Sequence, residues 1–115
     1  MDLEEAQKKI MEFANHREAA YGFTKTPELI LIHLLEELGE VARELSNKGL
    51  KRGVFDQEKL KEEVVDVLLE TLVLAGHLDI DLEQMITRKI EQLYQRTSAD
   101  KKADTGSGSK KRNYF

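Results

Sequence analysis

Residues 64–75 read VVDVLLETLVLA, a run in which nine of twelve residues are apolar and point in almost every direction around a helix axis. A helix that is apolar nearly all round is buried on several sides. Into this run the chain sets Asp66 and Glu70, with Glu63 just ahead of it. At about 100° per residue the three acids fall within about 60° of one another, on a stripe that continues to Lys59 and His77. An ionised carboxylate in a low-dielectric setting is costly, so such groups pair with a base or hold a cation. Lys59, four residues before Glu63, can reach it, but nothing comparable on this helix reaches Asp66.

The rest of the chain agrees with a helical reading. It has 115 residues, one domain's worth, with one Pro and no Cys or Trp. Few glycines before Gly106 and abundant Glu, Leu, Lys and Ala predict an all-α chain. Disulfides, zinc-thiolate sites and thiol catalysis are excluded. No apolar run is long enough to span a membrane, and Asp2, Glu4 and Glu5 precede any apolar segment, so neither a membrane span nor a signal peptide is expected and the protein reads as cytoplasmic. Acids outnumber bases 20 to 13 from Met1 to Arg96, whereas Thr97 to Phe115 carries two acids and five bases. An acidic body repels nucleic acid, so no nucleic-acid partner is expected.

Four helices are predicted. The first runs from Leu3 to Ala20, capped by Asp2, with Ile10, Phe13, Ala14 and Arg17 on one face and Gly22 as its stop. The second starts from the Thr26 cap and Pro27 and stops at Lys48 before Gly49. The third follows Asp56 and reaches His77; the fourth follows Asp81 and ends near Arg96. Residues 1–96 are thus expected to form an antiparallel four-helix bundle, and 97–115 a basic flexible tail. On the second helix Leu31, Leu34, Leu35, Leu38, Val41, Ala42 and Leu45 form an apolar stripe expected to face the core. His33, Glu37, Glu40 and Glu44 line the other side, where a plain solvated face is the simplest reading.

Antiparallel packing of the second and third helices would place Glu37 and Glu40 opposite Glu63 and Asp66. Four carboxylates without four bases repel strongly unless a divalent metal lies among them. An all-oxygen ligand set favours Mg2+, with Mn2+ as the alternative, over Zn or Cu. The Glu-x-x-His motif of di-iron bundles is absent.

Glu37-x-x-Glu40 followed, after 22 residues, by Glu63-x-x-Asp66 resembles the E-x-x-E, E-x-x-D signature of the MazG-like all-α nucleoside triphosphate pyrophosphohydrolases. The flanking strings TPELILIHLLEELGEVARELSNKG and DVLLETLVLAGHLDIDLEQMITRKIEQLYQR resemble the same family over most of Thr26 to Arg96. The resemblance implies hydrolysis of an NTP or dNTP to the monophosphate and pyrophosphate, with Mg2+ held by Glu37, Glu40, Glu63 and Asp66. A carboxylate not fully engaged by metal, Glu36 or Glu37, is the candidate proton acceptor. Lys89 and Arg96 match basic positions of the family's last helix and are candidate phosphate contacts, as is Lys59; His16 and Tyr21, with Phe13, Phe23 and Phe55, are candidate base contacts. Leu93 departs from the Asn of many members. The family also implies a homodimer or homotetramer, in keeping with a third helix too apolar for a lone chain. The rivals are a phosphoribosyl-ATP pyrophosphohydrolase within the same superfamily, a non-catalytic acidic module that docks a basic partner, and a metal store without turnover.

Overall fold

A computed structural model of the chain describes residues Met1–Ala103. Four helices form, α1 (Leu3–Tyr21), α2 (Pro27–Leu50), α3 (Gln57–His77) and α4 (Leu82–Ala103), with no strand among the described residues. The all-α class read from the sequence is therefore correct. The chain divides into two compact units, one spanning Met1–Ile80 and a second that begins at Asp81.

Local chemistry accounts for the helix ends. Asp2 accepts the Glu5 amide at 2.8 Å, Thr26 Oγ1 the Leu29 amide at 3.3 Å, Asp56 the Lys59 amide at 3.1 Å and Asp81 the Gln84 amide at 3.2 Å. Each satisfies a first-turn N–H that has no partner inside its helix. Gly22, at φ 69°, closes α1 in the left-handed conformation and donates its amide to Glu18 O at 2.9 Å.

Two boundaries differ from expectation. The second helix passes through Gly49 and ends where Lys51 takes the left-handed position at φ 52°. A single helical glycine costs only about 1 kcal/mol, less than the hydrogen bonds of the extra turn return. The fourth helix continues beyond Arg96 to Ala103, so Thr97–Ala103 is not tail. Thr97 keeps its hydroxyl bonded to Leu93 O at 2.9 Å, and Lys101 and Lys102 suit the negative end of the helix. Of the tail, residues 104–115, including Lys110, lie outside the described residues.

Within the first unit α3 is central, packing against both α1 and α2. Ile30 on α2 is completely buried, and Leu72, Val73 and Ala75 are the buried apolar residues of α3. On the α1 side Gly76 lets the helices approach closely: a Cβ there would lie 2.6 Å from Met11 Sδ. Gln7 Nε2 adds a long hydrogen bond to Leu72 O at 3.4 Å.

Only part of the leucine stripe of α2 turns inward, at Leu34 and Val41, which are half-buried. Leu31, Leu35, Leu38 and Leu45 are each about half exposed, at 47–59%. The positions buried on α2 are Ile30 and Glu44, and Glu37 between them at seven-residue spacing is half-buried. The seam with α3 thus forms along the edge that carries the acids. Likewise α3 is not buried on all sides within one chain, because Val64, Val65 and Leu68 are half exposed.

Ile30→Ala should therefore cost about 2–5 kcal/mol, the range for emptying a full core position. Urea denaturation of both proteins would show it as a lower midpoint at unchanged slope, and a loss below about 1 kcal/mol would contradict this account of the core.

Candidate functional site: a carboxylate seam and its cavity

The α2–α3 seam can be followed by its charges. Glu70 meets His33, Asp66 is coupled to Glu37, and Glu63 is coupled to Glu40 and Glu44. Numbers fall along α3 as they rise along α2, so the helices run antiparallel and their acids confront one another. Glu37, Glu40, Glu63 and Asp66, which the sequence offers as one group, are brought into one neighbourhood. Among the described residues no three Asp, Glu or His side chains are gathered into a preformed metal cage. The four carboxylates are coupled through their fields.

Burial separates the members of the group. Glu63 is 4% and Glu44 5% exposed, whereas Glu40 and Asp66 remain exposed. Glu44 Oε2 accepts the backbone N–H of Asp56 at 3.2 Å and so ties α2 to the start of α3. Glu63 has less support. Its Oε1 lies 3.9 Å from Lys59 Nζ, the outer limit of an ion pair, and its buried Oε2 has no hydrogen-bond partner. Burial pushes the Glu63 carboxyl above its ordinary value; Lys59 pulls it down, and Glu40, Glu44 and Asp66 push it up. Glu37 is also raised, first by burial and then by Glu40, with His33 opposing and Asp66 and Glu70 adding to the rise.

Glu37 and Asp66 open onto a cavity of about 480 Å3. Its apolar lining is supplied by Ile10, Phe13 and Ala14 of α1, Phe23, and Leu69 and Val73 of α3. Its polar lining is Arg17, Lys25, His33 and Glu70 beside the two acids. The face of α1 read from its periodicity, Ile10 to Arg17, is the face that lines this cavity.

The remaining sequence candidates divide by position. Lys59 stands at Glu63. His16 and Tyr21 are exposed and do not line the cavity: His16 falls off the lining face of α1, and Tyr21, on that face by spacing, lies one turn beyond Arg17 at the end of the helix. Tyr21 instead lies under the Arg17 guanidinium, 5.4 Å from its ring centre. Glu36 is exposed and turned off the cavity lining, while Glu37 is on it. Phe55 lies under Lys48 Nζ at 5.2 Å. Lys89 and Arg96 are exposed positions of α4, in the second unit.

Lys25 and Glu70 were not anticipated as site residues. Lys25 Nζ donates to Glu70 Oε1 at 2.8 Å and lies 3.2 Å from His33 Nδ1. Extending the acid pairing of the two helices by one turn, from Glu37 and Asp66 to His33 and Glu70, is the signal that finds Glu70; no local pattern points to Lys25.

A divalent cation suits the chemistry of this seam. The donors are carboxylate oxygens, one of them buried without a partner, and hard ions prefer such oxygens. Helical carboxylates facing each other beside a half-apolar cavity define the candidate site of this all-α protein. Residues 25–99, well over half of the chain, match the MazG nucleotide pyrophosphohydrolase domain, and the chain belongs to that family. It is also 35% identical over 74 residues to the uncharacterized protein YpjD of Bacillus subtilis (strain 168), covering 62% of this chain and 67% of that protein. No solved structure shows a significant match.

The raised carboxyls predict a pH signature. An acid whose folded pKa exceeds its unfolded one binds its proton more tightly when folded, so its ionisation costs stability. That cost is absent below the unfolded value of about 4.3, grows as pH rises toward the folded value, and is constant above it. Glu63→Gln should therefore raise the melting temperature at pH 7 in metal-free buffer, with the gain shrinking to nothing near pH 4. A variant less stable than wild type at pH 7 would refute an uncompensated Glu63 charge.

Proposed function

We propose that the chain hydrolyses a nucleoside or deoxynucleoside triphosphate to the monophosphate and pyrophosphate, with Mg2+ or Mn2+ as cofactor. The observation that carries this reading is the buried, unpartnered Glu63 Oε2 within a group of four neighbouring carboxylates, two of which, Glu37 and Asp66, line a cavity of about 480 Å3. Family membership supports it independently.

Glu37, Glu40, Glu63 and Asp66 would hold the cation, which supplies Lewis acidity and offsets the charge of the phosphate oxygens. The protein's own task is positioning and proton management. Glu37 is better placed than Glu36 to accept the proton of the attacking water, since it faces the cavity and gives only Oε1 to His33. As water opens the phosphoanhydride bond, that proton passes to Glu37 and pyrophosphate departs. The apolar wall of Phe13 and Phe23 offers the nucleobase a surface away from water, and Arg17 and Lys25 offer counter-charge to the phosphates.

The half-exposed leucines of α2 support a homodimer or homotetramer, because an apolar stripe of this length on one helix marks a surface to be covered. Sedimentation should show a mass above one chain, and Leu38→Asp should lower it; a wild-type monomer at micromolar concentration would refute this assembly.

For the activity, the protein incubated with a panel of NTPs and dNTPs should release pyrophosphate only when Mg2+ or Mn2+ is added. Glu40→Gln and Glu63→Gln should each lower turnover by about 100-fold or more while keeping the helical circular dichroism. Absence of pyrophosphate release from every nucleotide would sink the proposal.

A further inference from the structure

Glu37 sits among Glu40, Asp66 and Glu70, all of which repel it, yet its carboxylate is directed into the cavity. What holds it is one turn back on the same helix. His33 Nε2 lies 3.0 Å from Glu37 Oε1. A carboxylate oxygen can only accept, so the proton is on Nε2. This is so whether Nδ1 accepts from Lys25 Nζ, 3.2 Å away, or carries a second proton toward Glu70 Oε1, also at 3.2 Å.

Behind the ring, Lys25 is fixed from two further directions. Its ammonium donates to Glu70 Oε1 at 2.8 Å and its backbone N–H donates to Glu18 Oε1 at 3.2 Å. With Nδ1 accepting from Lys25 the imidazole is braced through that lysine against Glu70 of α3 and Glu18 of α1; doubly protonated, it also meets Glu70 directly.

We infer that His33, braced by Lys25 and Glu70, is a positioning residue that holds the Glu37 carboxylate toward the cavity. The inference rests on the pyrophosphohydrolase reading for what Glu37 does, and on the hydrogen-bond geometry alone for how Glu37 is held. Without the Nε2–H donor, repulsion from three neighbouring acids would turn Glu37 toward water. The expected loss falls on turnover, because the donor orients a reacting group and the substrate's binding surface is left in place.

His33→Ala should lower kcat for pyrophosphate release by about 10- to 100-fold with KM within about 2-fold. His33→Gln, whose amide keeps a donor, should recover part of the loss. Adding Glu70→Gln to His33→Ala should cost nothing further, since both act through one bond. A raised KM at unchanged kcat, or additive losses, would overturn the inference and make His33 a substrate contact. Two readouts do not depend on turnover. In the nucleotide-free protein, nitrogen NMR should find the His33 proton on Nε2, and calorimetry should find Mg2+ bound about tenfold more weakly by His33→Ala. If wild type releases no pyrophosphate from any nucleotide, the proposed function falls while these two readouts still decide the brace. A proton on Nδ1 alone, or unchanged Mg2+ affinity in His33→Ala, would overturn it.

Discussion

The structure of the first unit turns on a helix seam that carries carboxylates where most seams carry leucines. Packed helices normally turn their apolar stripes toward each other, since that removes the most apolar surface from water. Here α2 turns Glu37 and Glu44 inward beside Ile30, Leu34 and Val41, and leaves Leu31, Leu35, Leu38 and Leu45 half exposed. The apolar burial forgone between α2 and α3 must be recovered elsewhere, and within the chain it is recovered only in part, where α3 presents Leu72, Val73 and Ala75. The exposed leucines and the inward acids are two consequences of one rotation of α2 about its axis.

The two ends of the seam treat their charges differently. Near the start of α2, Glu70 is matched by Lys25 and Glu37 by His33, at distances of 2.8 and 3.0 Å. At the other end Glu44 is satisfied by a backbone amide, but Glu63 has a lysine only at 3.9 Å and an oxygen with no partner. The positive end of α3 does not resolve this, because Glu63 lies two turns in and the effect of a helix terminus fades within the first turn. Raised carboxyls follow wherever desolvation outruns compensation, and Glu63 is the clearest instance.

Much of this could be read in the residues alone. The caps Asp2, Thr26, Asp56 and Asp81 are local chemistry, and each helix begins where its cap says it should. The pairing of Glu37 and Glu40 with Glu63 and Asp66 followed from spacing plus the assumption of antiparallel neighbours. What misled was the periodicity of α2. A hydrophobic stripe identifies a face that avoids water, but it does not say whether this chain or another covers it. The brace was hidden because Lys25 lies outside any helix and reaches Glu70 across 45 residues, a contact that no local pattern encodes. The extension of α4 past Arg96 was missed because a polar composition was taken for absence of helix, although Ala, Lys and Asp near a C-terminus form one readily when a preceding helix removes the cost of nucleation.

The cavity is lined by both kinds of group, with Phe13, Phe23, Leu69 and Val73 as apolar surface and Glu37 and Asp66 among the charged residues. A ligand that is apolar at one end and highly anionic at the other meets both there. The anionic end cannot approach bare carboxylates, so it requires intervening positive charge, which Lys25 and Arg17 supply at the cavity while Glu63 has only Lys59 at 3.9 Å. On the proposed reading a divalent cation makes up that deficit, and the charge that destabilises the folded chain is the charge that recruits the cofactor. The exposed Glu40 and Asp66 fit this role better than buried acids would, because a hydrated cation must reach its ligands from solvent, while the buried Glu63 supplies the strong, underused oxygen that makes its arrival favourable.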